Sequence, residues 1–263
     1  MELMKLTTNT IINPPKIVIF GKQGHGKSRF TASFPKALFL KAEDRLAHLG
    51  VLSGDLIRSY EDLITQLDWV LNNEHDFKSV ILDTADAVEK YVHEKIIKEA
   101  GATSITDAKK LAFYVGFVKA AEIWETVILR KLTEINENRK MIVCINSQML
   151  VNRVSHPQFG DYETFSIGVD KRAATKIKAW ADIVGFLDMK SNIKNISDDN
   201  ETVRFGESNK RILRLRPQPF WDTKESYNLP DSIDLPNEKS GEFLGWGLLS
   251  EQIKLGISTK KGN

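Results

Sequence analysis

The chain has 263 residues, with 37 lysines and arginines against 35 aspartates and glutamates, 41% hydrophobic residues and one cysteine. This is an ordinary globular composition, long enough for one large α/β unit or two small domains and for a core that needs no staples. It excludes a disulfide-stapled secreted mini-protein, and a net charge of +2 neither demands a polyanionic partner nor forbids one, so any nucleic-acid site must be local.

Residues 13–15 (Asn-Pro-Pro) end an irregular lead-in, assigned to residues 1–15. No window approaches the ~18 consecutive apolar residues of a membrane span, so the expectation is a cytoplasmic protein with no membrane partner. Residues 16–20 (Lys-Ile-Val-Ile-Phe) then form a short apolar run, which predicts a strand buried on both faces. Similar runs recur at 37–40, 79–82, 141–145 and 183–187, separated by longer polar–apolar stretches. Short β-branched runs alternating with helical patterns predict a mostly parallel central sheet flanked by helices. Among the helices, residues 107–136 carry Leu111, Val118, Ala121, Ile128, Leu132 and Ile135 at spacings of three, four or seven, the stripe of a helix covering the sheet. Cys144 lies inside the 141–145 run and reads as a buried packing residue. Residues 191–209 are polar and predict a hairpin or variable loop, followed by an alternating, half-exposed strand at 211–216. Residues 245–256 read either as a helix packed on the core or as a subunit contact, and residues 258–263 as a tail.

Directly after the first strand comes Gly21-Lys22-Gln23-Gly24-His25-Gly26-Lys27-Ser28, which fits G-x-x-x-x-G-K-[ST] and runs into a short helix beginning at Arg29. Glycines let consecutive backbone N–H groups point at phosphate oxygens, and the helix N-terminus adds its positive end. Lys27 would reach the β- and γ-phosphates, and the Ser28 hydroxyl would hold Mg²⁺. A dinucleotide fingerprint fails, because its third glycine would fall at Arg29.

Such a site needs a carboxylate for Mg²⁺ at the end of another apolar strand. Val80-Ile81-Leu82-Asp83 supplies it in Asp83. Hydrolysis also needs a group that orients or deprotonates water. The 37–40 strand ends in Lys41-Ala42-Glu43-Asp44, which makes Glu43 the candidate base, the alternative being a solvated loop acid.

A glutamate after the second strand followed by apolar-Asp-Thr on the next resembles the RecA-like branch of P-loop ATPases. The order of Val80-Ile81-Leu82-Asp83-Thr84, Met141-Ile142-Val143-Cys144-Ile145-Asn146-Ser147, a loop with Pro157, Gly160 and Tyr162, Asp170-Lys171-Arg172, Trp180-Ala181-Asp182-Ile183-Val184, Trp221-Asp222-Thr223-Lys224 and Leu229-Pro230 is similar to phage-encoded nucleotide-binding proteins, some of them single-strand annealing ATPases. The similarity spans about residues 16–235, which implies one RecA-like P-loop NTPase core there and a C-terminal segment at 236–263. It implies ATP on residues 21–29, Asp83 with Ser28 on Mg²⁺, Glu43 as water-activating base, and a γ-phosphate sensor after the 141–145 strand, at Ser147 or Gln148. The Lys-x-Arg pair that reaches a neighbouring subunit's ATP in the wider branch is reduced here to Lys224, with Ser226 in the arginine's place, which implies slow or weakly coordinated hydrolysis.

The same resemblance implies single-stranded DNA along the loop between Gln148 and Arg172. There Arg153, Lys171 and Arg172 offer charge to phosphates while Phe159, Tyr162 and Phe165 offer rings to bases. The expectation is an ATPase that acts on single-stranded DNA as a homo-oligomeric ring or filament in phage recombination inside the bacterial cytoplasm, with a single-strand DNA-binding protein among its candidate partners. A nucleotide-gated loader with little turnover and a small-molecule kinase are the alternatives.

Overall fold

The computed structural model describes residues 13–156, 160–195, 203–236 and 243–261. The apolar runs form parallel strands, β1 (Lys16–Gly21), β2 (Ala37–Lys41), β4 (Ser79–Asp83), β5 (Ile142–His156) and β7 (Ile183–Asn195); an unpredicted, exposed two-residue strand β3 (Leu52–Ser53) pairs with β2, and the hairpin strand β6 (Gly160–Ile167) pairs with β5. Two antiparallel strands, β8 (Val203–Arg214) and β9 (Ser232–Leu235), extend the edge. Spatial order is β3-β2-β4-β5-β1-β7-β8-β9, so β5 lies between the glycine-loop strand β1 and the aspartate strand β4.

Side chains alternate across β1, with Val18 and Phe20 on one face and Ile17 and Ile19 on the other, and each set enters its own core. One face is covered by α2 (Tyr60–Asn72), α3 (Ala85–Ala100), α4 (Val115–Ile123), α5 (Leu129–Asn138) and α6 (Lys171–Trp180). The other is covered by α1 (Lys27–Ala32) and α7 (Gly245–Lys261).

The helix expected over 107–136 begins instead at Val115 and passes through a π-helical turn at Trp124–Ile128. The Asp107 carboxylate accepts from the Thr103, Lys109 and Lys110 amides and so closes turns, and Phe113 and Tyr114 then adopt left-handed φ values of 54° and 63° that break a helix. Leu111 is buried as the stripe requires, but Val118 is 42% exposed. The segment 245–256 is a helix on the core, and it runs through most of the expected tail to Lys261. Leu249 and Ile253 pack with Phe34, Leu229 and Ile233, and the rings of Phe34 and Trp246 lie 4.7 Å apart. The stretch expected as a mobile DNA loop is largely a β-hairpin, β5 with β6, whose tip at 157–159 lies outside the described residues. The tip of the β7–β8 hairpin, 196–202, lies outside them as well.

Candidate nucleotide-binding site

At the C-terminal ends of β1, β2 and β4, and beside Gln148 midway along β5, the chain leaves a cleft of about 430 Å³. Parallel strands place their following loops at one sheet edge, which is why residues from four separate sequence regions meet there. The glycine loop forms one wall. A Cβ on Gly21 would stand 2.4 Å from the Leu187 carbonyl oxygen, so β7 passes too close for any side chain. Gly26, at φ +89°, is in the left-handed region and opens α1.

Lys27 is 6% exposed. Its ammonium donates to the Gly21 carbonyl at 2.9 Å, the Lys22 carbonyl at 3.2 Å and Gln148 Oε1 at 2.9 Å. Burial lowers its pKa from the ordinary lysine value, opposed by the Asp83, Asp86 and Glu43 carboxylates. Ser28 Oγ donates to Asp83 Oδ2 at 2.8 Å. Burial raises the Asp83 pKa, with the Ser28 and Asn146 side chains opposing it, and among the described residues no hydrogen bond of good geometry reaches the buried Asp83 Oδ1 or Thr84 Oγ1. This donor set fits Mg²⁺. Among the described residues no cluster of three His, Cys, Asp or Glu side chains exists, and Mg²⁺ characteristically takes one or two protein ligands and completes its octahedron with water and phosphate oxygens.

Glu43 lines the same cleft from the loop after β2, with Oε2 3.4 Å from Arg45 Nε. Gln23, Gly24, Gly26, Lys27, Ser28 and Arg29 of the expected phosphate set line it too. Gly21 and Lys22 stand behind the wall and hold Lys27 through their carbonyls, whereas His25 turns toward Leu187 and Asp188, its pKa lowered by burial. The two sensor candidates separate cleanly. Ser147 is fully buried, its hydroxyl accepting from the Gly168 amide and donating to the Gln148 carbonyl, while Gln148 points into the cleft.

Three residues that the sequence reading missed support these groups. Asp86 accepts the Gln148 amide at 2.9 Å, fixing β5 to the start of α3. Asn146, beside Asp83 in the sheet, donates to Thr31 on α1, and Arg45 adds a guanidinium. Asp86 had a readable signal, an acid three positions after Asp83; Asn146 and Arg45 had none.

Other expected site residues lie elsewhere. Lys224, expected to reach a neighbouring subunit's ATP, donates its ammonium to the Lys178, Ala179 and Ala181 carbonyls at 3.2, 3.0 and 2.6 Å and closes the C-terminal end of α6 in this chain. Phe165 is half-buried and packs against the core, its ring centroid 5.5 Å from that of Phe186. Arg172 pairs with Asp170 at 3.3 Å and lies 5.2 Å over the Tyr114 ring, so its charge is engaged at the start of α6. Arg153 and Lys171 are exposed, and Tyr162 borders a groove between the hairpin, α6 and Trp221. Phe159 lies outside the described residues.

A glycine loop between a buried parallel strand and a helix, with a hydroxyl–carboxylate pair at its mouth and a mostly parallel sheet behind, defines a P-loop nucleoside triphosphatase fold. The family model of the AAA domain matches residues 13–227, and the chain belongs to that family. No curated protein gave a significant match to the chain. Among solved structures it is similar to the crystal structure of the RadB recombinase, with a TM-score of 0.42 and 11% identity over 79% of this chain and 84% of that one. That identity is too low to transfer an activity. No described helix is long and apolar enough to cross a membrane.

Proposed function

We propose that this protein binds ATP with Mg²⁺, hydrolyses it, and uses the nucleotide state to set the grip of the β5–β6 hairpin on single-stranded DNA, working as a homo-oligomer in recombination. The observation that carries the reading is the 2.9 Å contact between Lys27 and Gln148, because Gln148 is the last cleft residue of β5 before the strand becomes the hairpin. A γ-phosphate drawing the Lys27 ammonium onto itself would release or re-aim Gln148. That change starts at the base of the element that carries Arg153 and Tyr162. The DNA substrate, the oligomer and a single-strand DNA-binding partner are proposed from the motif resemblance to single-strand annealing ATPases.

In hydrolysis Lys27 would exchange its carbonyl acceptors for phosphate oxygens, and Ser28 and Asp83 would hold the metal, whose charge offsets that of the phosphates. Glu43 would orient the attacking water and take its proton as the oxygen–phosphorus bond forms and ADP leaves.

Lys27→Ala should abolish nucleotide binding, and Glu43→Gln should keep binding while turnover falls by roughly 10² to 10⁴-fold. Wild-type turnover should rise with single-stranded DNA, and DNA binding should weaken with salt. Full turnover by the Glu43→Gln variant would remove Glu43 from the mechanism. An Arg153→Glu, Lys171→Glu double variant that binds DNA like wild type would remove the hairpin. A second reading, a nucleotide-gated loader with little turnover, is favoured by the engagement of Lys224 at α6. ATP binding with turnover indifferent to DNA would establish it.

A further inference from the structure

We infer that Arg45 is an arginine supplied in cis to the γ-phosphate, with its resting position on Glu43. The inference rests on the ATPase reading of the cleft and names a catalytic residue that neither the glycine-loop motif nor the Lys-x-Arg comparison contains.

The loop after β2 is pinned at three points. The Ala42 amide donates to the Asp83 carbonyl at 2.7 Å, and Leu46 and Leu49 are buried at 5% and 8% exposure. Between these anchors Glu43 and Arg45 line the cleft that holds Lys27, Ser28 and Asp83. The backbone that carries Arg45 is therefore tied to the metal-side carboxylate strand while its side chain remains 60% exposed. Asp44, the other acid of the loop, faces Lys41 at 3.7 Å, which leaves Glu43 as the local counter-charge for Arg45.

With the Arg45 side chain largely in solvent and Glu43 half-buried, water screens the pair and it holds its partners weakly. A γ-phosphate offers more charge and a geometry that a guanidinium engages through two parallel hydrogen bonds. Arg45 should therefore transfer from Glu43 to the phosphate when a triphosphate binds, and the transfer has two effects. It puts positive charge where the transition state gains negative charge, and it frees Glu43 to take the proton of the attacking water. Water oxygen bonds to the γ-phosphorus, the bond from that phosphorus to the bridging oxygen breaks, and ADP departs with its electron pair.

The test compares wild type, Arg45→Ala and Arg45→Lys in steady-state turnover and in equilibrium binding of ATP and ADP. Arg45→Ala should lose about 10² to 10³-fold in kcat and about tenfold or more in ATP affinity, with ADP affinity held within about threefold. Arg45→Lys, with charge but no fork, should fall between. Mixing Arg45→Ala with Glu43→Gln protein should restore no turnover, because a site that needs both residues from one chain is complete in neither. Restored turnover would mean that Arg45 serves a neighbouring subunit and would overturn the cis assignment, as would near-wild-type kcat or equal loss of ATP and ADP binding in Arg45→Ala. If wild type binds ATP without turning it over, the hydrolysis reading fails while the ATP-over-ADP preference of Arg45→Ala still decides the phosphate contact. Wild type that binds neither nucleotide would overturn both.

Discussion

Glu89 is a carboxyl that the cleft does not use and that the fold nevertheless holds at 9% exposure. Both of its oxygens accept from the Asp170 amide at 3.0 Å, which positions the residue whose side chain caps α6. Burial raises its pKa to about 7 from an ordinary 4.5, the amide opposing and the carboxylates of Asp170 and Asp86 adding to the rise. Between these two values the native carboxyl keeps a proton that the unfolded chain has lost, so folded stability falls as pH rises through that window. Glu89→Gln retains an acceptor for the amide without the charge. It should be close to neutral at pH 5 and stabilise the protein by roughly 1 to 3 kcal/mol at pH 8, read as a shift in the urea midpoint. Equal effects at both pH values would show that the charge is not the cause.

Two elements decide how the cleft connects to the rest of the fold. The apolar run that predicts β5 ends at Ile145, because Asn146, Ser147 and Gln148 look like the start of a loop. The strand continues because each of the three finds a partner distant in sequence, at Thr31, Gly168 and Lys27. Polar residues inside a strand are tolerated when tertiary partners satisfy them, and here that satisfaction joins cleft to hairpin. Helix α7 shows the same dependence on context. It packs so closely that a Cβ on Gly256 would stand 1.7 Å from the Tyr227 carbonyl oxygen, so Gly256→Ala forces backbone apart. We expect a loss of about 1 to 3 kcal/mol in urea unfolding, as for an overpacked core. Unchanged stability would place α7 off the core.

Across the whole molecule, the sheet separates two cores and β5 runs between β1 and β4 at its centre. Cys144 sits on that strand, fully buried, and burial pushes its thiol pKa well above the ordinary value. Alkylation of Cys144 at pH 8 should therefore proceed only through unfolding of the sheet, and its rate measures global opening. Saturating ATP with Mg²⁺ should slow the labelling further, because a ligand that binds only the folded chain stabilises it by mass action. Rapid labelling in native buffer would contradict the burial, and labelling indifferent to ATP and Mg²⁺ would contradict nucleotide binding.

What the sequence determined by itself was local. The alternation of apolar runs with helical patterns specified a mostly parallel sheet, and the glycine loop with Asp83 and Glu43 at strand ends specified the cleft, since parallel strands deliver their loops to one edge. Tertiary structure alone decided strand order, the hairpin in place of a loop, Gln148 over Ser147 as the cleft residue, and the contacts that Lys224, Phe165 and Arg172 make within the chain. The physical reason is that hydrogen-bond capacity belongs to a residue, whereas the partner that uses it belongs to the fold. Arg45 acquires meaning only when the loop after β2 brings it to the cleft, and Asp86 only when β4 and β5 bring it against the Gln148 amide.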